Sequence, residues 1–166
     1  MPEGSGQLDR PEEDALYLGI LTARHVKPLS RLEYPVRPAV GEFYAWLGLL
    51  VRDVNRTALN GRTIRHWVLS RDAGIIRDYQ AEFDGTVLET ANSRIIRAEA
   101  RYFGYPPCCA IAYIRDRFAP NGLPPADQAL LFHRACPNCQ ATPALVPLYR
   151  RAMDDARRSH RLLVEC

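Results

Sequence analysis

The chain has 166 residues and a mass of 18.8 kDa, with 47% hydrophobic and 25% charged residues. That size suits one core, and that balance excludes wholesale disorder and a fibrous structure. The formal charge of +3 suggests nucleic acid, yet Lys27 is the only lysine among 22 basic residues, an arginine bias that codon usage in a GC-rich, alanine-rich genome explains without phosphate binding.

Residues 1–14 (MPEGSGQLDRPEED) are polar and rich in acid, Gly and Pro, so they read as a disordered tail ahead of a single domain over 15–166. They have neither the basic start nor the apolar stretch of a secretion signal, and no apolar run reaches the roughly 20 residues of a membrane span. The expected compartment is the cytoplasm, with no membrane partner.

Leu16 to Thr22 is almost continuously apolar and predicts a buried strand; Pro28, Pro35 and Pro38 then break any regular element. From 42 to 54 the spacing of Phe43, Trp46, Leu47, Leu50, Val51 and Val54 predicts a core helix. Asn60-Gly61 signals a turn, and residues 64–70 follow as a strand with Trp67 and Leu69 on one side and His66 and Val68 on the other. A helix starts near Asp72 and ends at Asp84-Gly85, and another, capped by Ser93, runs over 93–103 to stop at Gly104.

The last third reads as helical and punctuated by proline. Pro106-Pro107 opens one helix, Pro124-Pro125 opens a second to about Ala135, and Thr142-Pro143 opens a third carrying Leu145, Leu148, Tyr149, Ala152, Met153 and Ala156. Residues 161–165 predict a closing strand. The fold class expected is α+β, a small sheet packed against helices with a helical C-terminal third. Arg150, Arg151, Arg157, Arg158 and Arg161 form a basic segment there, interrupted by Asp154, Asp155 and Glu165, which reads as a solvated face.

That last third also holds the five cysteines. Disulfides rarely persist in a reducing compartment, so clustered thiols point to metal binding or redox chemistry. In His133-x2-Cys136-Pro-x-Cys139, a helix continued past 133 puts His133 and Cys136 on one face, and the proline turn returns Cys139 beside Cys136. Cys108 and Cys109 open their own helix, where free N–H groups and the helix dipole favour thiolate. Adjacent residues diverge by about 100° on a helix, so one of the pair can ligate while Cys109 serves as the reactive thiol. Cys166, at the terminus, reads as a frayed tail residue, and His25, His66 and His160 have no cysteine neighbour, so these four fall outside the set.

The metal ligands expected are therefore Cys108, Cys109, His133, Cys136 and Cys139. A histidine and a knuckle-like turn favour zinc; an iron–sulfur cluster is the alternative for a thiolate-rich set.

In order, Val68-Leu69-Ser70-Arg71-Asp72, then Phe103-Gly-Tyr-Pro-Pro-Cys-Cys109, then His133-x2-Cys-x2-Cys-x2-Thr142, the motifs resemble an uncharacterised prokaryotic domain-of-unknown-function family. Its members carry a Gly-Tyr-Pro-x-Cys-Cys string and a later histidine, two cysteines and a small hydroxyl residue. The resemblance covers about residues 64 to 157 and implies that Cys108, Cys109, His133, Cys136, Cys139 and Thr142 share one site. The family has three residues between the last two cysteines where this chain has two, and it brings no known reaction.

Two functions are consistent with these residues. One is a small enzyme or sulfur- and redox-handling protein acting on a small-molecule or protein substrate through a reactive thiolate. The other is a structural-zinc module whose arginines contact RNA or an acidic protein. The sequence has no Gly-rich phosphate loop, no Gly-x-Ser-x-Gly elbow and no His-Glu-x-x-His string, so the commoner hydrolase and nucleotide-binding readings lack support.

Overall fold

The computed structural model describes residues 10–164. Its elements in chain order are α1 (Arg10–Ala23), β1 (Ser30–Leu32), α2 (Pro38–Trp46), β2 (Leu50–Thr57), β3 (Thr63–Ser70), α3 (Ala73–Phe83), α4 (Ser93–Tyr102), α5 (Pro107–Arg115), α6 (Pro125–Gln128) and α7 (Ala141–Val164).

Alternation along β3 organises the layers. The sheet is antiparallel in the order β1-β3-β2, and β3 pairs with β2 from Leu50↔Ser70 to Thr57↔Thr63 around the Asn60-Gly61 turn. Val68, with Val54 from β2, faces a cluster built from Ile76, Tyr79 and Phe83 of α3 and Ala98 of α4. Leu69 faces the opposite way, into a cluster of α1, α2 and α7 residues, with Trp67 and Val51 packed against it. The fold is thus α+β, with helices on both faces of a small sheet and a helical C-terminal segment, as the sequence predicts. No helix among the described residues is long and apolar enough to cross a membrane.

Four sequence expectations are corrected. Leu16 to Thr22 is not a strand but the centre of α1, where every residue from Ala15 to Thr22 is buried. A helix enclosed all round has no polar stripe, so its sequence looks like that of a buried strand. The expected helix over 42–54 is split: α2 ends at Trp46, Gly48 turns the chain at a φ of 71°, and β2 begins at Leu50, leaving Trp46 79% exposed instead of in the core. The helix expected to reach Ala135 is the four-residue α6, and the strand expected at 161–165 is absorbed into α7 as far as Val164.

Two boundaries also move. Arg10 to Asp14, expected in the tail, belong to α1, where Glu12 and Glu13 lie in the first turn and suit the positive end of the helix dipole. Asn92, not Ser93, caps α4, its side chain accepting from the N–H groups of Arg94 and Ile95. Residues 1–9, Glu165 and Cys166 lie outside the described residues.

Candidate metal centre

The thiols are gathered by two helix starts and one turn. Gly104 ends α4 at a φ of 70°, with no room for a side chain: a Cβ there would lie 2.8 Å from Pro28 Cδ and 3.2 Å from the Val26 carbonyl oxygen. Tyr105 and Pro106 then lead into α5, with Pro107 at its start and Cys108 and Cys109 in its first turn. Across from it, the N–H of Cys139 donates to the Cys136 carbonyl at 3.2 Å, closing a turn in which Asn138 takes a left-handed φ of 58°. Asparagine tolerates that conformation better than most residues. Two residues on, α7 begins and places Thr142 beneath the sulfurs.

The result is a compact group of four thiols. Cys108, Cys109, Cys136 and Cys139 have all four sulfurs within 4.8 Å of one another, close enough to hold one metal ion. Cys109 Sγ lies 3.5 Å from Cys139 Sγ and 4.0 Å from Cys108 Sγ, and Cys108 and Cys139 are 3.8 Å apart. Cys108 is exposed, Cys109 buried, and the other two are partly buried.

His133, expected as a ligand, is not one of the converging groups. Without a helix from 125 to 135, nothing puts its ring on the same face as Cys136. Its Nε2 instead lies 3.2 Å from the Thr142 hydroxyl, its ring stacks on Tyr105 at a centroid distance of 4.9 Å, and its Nδ1 has no partner among the described residues. Burial, and the Lys27 charge beyond it, lower its pKa to about 4, so the ring is neutral.

Thr142, fully buried, links the histidine to the sulfurs. Its hydroxyl lies 3.2 Å from Cys139 Sγ and 3.5 Å from Cys109 Sγ, and its backbone N–H donates to Cys139 Sγ at 3.3 Å. The Cys136 N–H donates to Cys109 Sγ at 3.4 Å. Burial opposes ionisation of Cys139, but these Thr142 bonds and the Cys109 and Cys108 thiols outweigh it and bring Cys139 down to about 6. Burial and the neighbouring sulfurs push Cys136 up to about 12, and burial raises Cys109. Ionisation of Cys109 and Cys136 beside Cys139 is thus disfavoured unless a cation shares the charge.

A threonine hydroxyl has one proton to give. When Cys139 is a thiolate, that proton points to sulfur, leaving the oxygen to accept from His133 Nε2–H, and this fixes the tautomer. A chain of donors from imidazole to hydroxyl to sulfur is the kind of outer contact that orients metal ligands.

Three further contributors were not identified from sequence. Gln128 holds the connecting loop by donating to the His133 carbonyl at 2.8 Å and accepting from the Ala135 N–H at 3.2 Å. Tyr105 carries a signal in its string, since it adjoins the Pro-Pro-Cys-Cys segment. Lys27, beneath Tyr105, carries one in being the sole lysine.

No family model, curated protein or solved structure matches the chain.

Proposed function

We propose that the protein binds a single zinc ion through Cys108, Cys109, Cys136 and Cys139, and that this centre ties the connection between α4 and α7 into one piece. The sulfur separations carry the reading. Two thiolates on one tetrahedral zinc, each about 2.3 Å from the ion, lie about 3.8 Å apart; the separations among Cys108, Cys109 and Cys139 run from 3.5 to 4.0 Å, and Cys136 Sγ lies within 4.8 Å of each. An iron–sulfur cluster spreads its four thiolates over two or four irons and holds at least some pairs farther apart than these, so the closeness of all four favours a single ion, zinc, over the cluster alternative. With four thiolates to one ion, the centre is closed and structural. The sharing of one site by these cysteines, His133 and Thr142, which the family resemblance implies, is part of the same reading, with His133 and Thr142 behind the ligands.

Anaerobic purification followed by elemental analysis tests it. One zinc per chain in a colourless protein is the expected result. Stoichiometric iron with visible absorbance would overturn it.

A second reading has its own observation. A 460 Å³ cavity reaches Cys109 past Tyr105, Phe132 and His133, which favours a small enzyme or sulfur-handling protein in which the Cys109 thiolate attacks a ligand held there. Iodoacetamide alkylation of Cys109 in the zinc-loaded protein, with the other three thiols unmodified, is its expected signature. Protection of all four thiols leaves the centre structural. The arginine-based RNA or acidic-protein module has less behind it, because Arg150, Arg157 and Arg158 of α7 are paired with Asp127, Glu13 and Asp155. A cytoplasmic location belongs to this proposal through its dependence on reduced thiols.

A further inference from the structure

Lys27 lies in the turn after α1, 1% exposed, in a chain whose other 21 of 22 basic residues are arginine. Its Nζ donates to the Phe103 carbonyl at 2.9 Å. Around it stand three aromatic rings, with centroids 4.4 Å (Tyr105), 5.5 Å (Phe132) and 5.6 Å (Phe103) away. Among the described residues no carboxylate forms an ion pair with it, and burial alone lowers its pKa to about 7. An arginine in this place would have to stay charged, because a guanidinium does not deprotonate, whereas an amine can shed its proton. At the one position where this chain uses lysine, the side chain can therefore become neutral where an arginine could not. The residue also borders a cavity of 350 Å³, whose wall holds the rings of Phe103, Tyr105 and Phe132 and the charged groups Asp14, Arg31 and Glu33.

We propose that Lys27 is the nucleophilic amine of a small-molecule site in this cavity, one that takes an aldehyde or ketone with an apolar body and joins it as an imine. A lysine desolvated by apolar surroundings is a recognised form of activated nucleophile, and here the three rings around Nζ supply those surroundings. In the step, the Nζ lone pair adds to the carbonyl carbon. Both amine hydrogens then leave with the carbonyl oxygen as water, and a C=N bond replaces C=O, with no oxidant or reductant consumed. The rings supply the apolar wall, and the Phe103 carbonyl orients the amine before attack. The site uses none of the four cysteines and stands apart from the zinc reading.

Reductive trapping tests the proposal on the unsubstituted, zinc-loaded chain. Propanal and cyanoborohydride at pH 7 convert an imine on Lys27 to a stable propylamine, read by mass spectrometry on the 25–31 fragment released by cleavage at arginine. The N-terminal amine is the internal control, and the same fragment, free and acetylated at its amine, is the reference. At pH 7 an amine of pKa near 7 has a neutral fraction ~1,000-fold larger than that of an ordinary lysine. Burial slows entry, so labelling about tenfold faster than the free fragment is expected. Any rate above the free fragment's supports the site; a rate equal to it or below overturns it. Zinc content measured on the same sample keeps this outcome separate from the fate of the metal centre.

Discussion

Thr142 is the residue on which the described site turns, since its single hydroxyl serves two sulfurs and one imidazole. Thr142→Val keeps the shape and removes the proton, so retention of the proposed zinc is expected to fall about 10- to 100-fold, as for other outer-shell losses, with the fold preserved. Competition with a chromophoric chelator measures it, and unchanged retention would remove Thr142 from the centre. Lys27 carries a pH signature of its own. Its folded value, about 7, lies below the 10.5 of an ordinary lysine. Below pH 7 the amine is charged in both states, and the native state carries the full cost of a buried ammonium. Between the two values the unfolded chain binds more protons than the folded one, so stability rises with pH; above them the cost is gone. The neighbouring His133 ring stays neutral throughout this range. Lys27→Met should therefore be more stable than the parent near pH 7, with the advantage shrinking towards pH 10. Urea unfolding at several pH values reads the gap, and a gap independent of pH would contradict the buried-amine account. In sequence, the Cys-Pro-Asn-Cys turn was legible because its closure is local. His133 was misplaced because its role depended on a helix that Gln128 replaces with a pinned loop.

Local signals served the elements unevenly. β3 was read correctly, side by side, because one residue step moves a side chain from the α3 face to the α1 face and the sequence alternates accordingly. The helix start near Asp72 and the Gly104 stop were legible for the same reason, since each acts within a few residues. α1 was not, because its enclosure comes from α2, α7 and the sheet, contacts that no window along α1 itself contains. Gly19 shows how tightly that enclosure is built: a Cβ there would lie 2.6 Å from Tyr44 Cε1. The Tyr44 ring is 1% exposed and held by its hydroxyl donating to the Ala15 carbonyl at 2.8 Å, so it has little freedom to retreat. Overpacking costs about 1–3 kcal/mol, and the better helix propensity of alanine returns up to about 1. Gly19→Ala is expected to lose about 1–2 kcal/mol in denaturant unfolding, despite replacing glycine inside a helix.

On the zinc reading proposed above, the two helices that flank residues 105–141 would depend on the ion to different degrees. α7 contributes Tyr149, Ala152, Met153 and Ala156 to the same buried cluster as α1, so most of its length is fixed by apolar packing with no sulfur involved. Residues 105–141 are placed otherwise: α5 is nine residues long and α6 four, and the four thiols and Gln128 hold the segment to itself. Its links to the remainder are the packing of Leu130 and Leu131 against the α1 cluster, the Tyr17 hydroxyl donating to the Leu130 carbonyl, the Arg150–Asp127 pair and the contacts of Cys109, Cys139 and His133 with Thr142. Binding of a structural zinc can be worth roughly 10 kcal/mol, comparable to the stability of a whole small domain. Spread over the molecule, that energy would make metal loss a global event; confined to a segment, it makes a local one. The packing favours the local outcome. Removing zinc with a chelator should release amide protection across residues 105–141 by several orders of magnitude in hydrogen exchange, while the amides of α1, β3 and residues 146–160 of α7 keep theirs. Cys136→Ser and Cys109→Ser should reproduce the same pattern, because Cys109 is the buried sulfur that receives the Cys136 N–H. Loss of protection throughout α7 on chelation would mean that the core around α1 cannot hold the helix unaided.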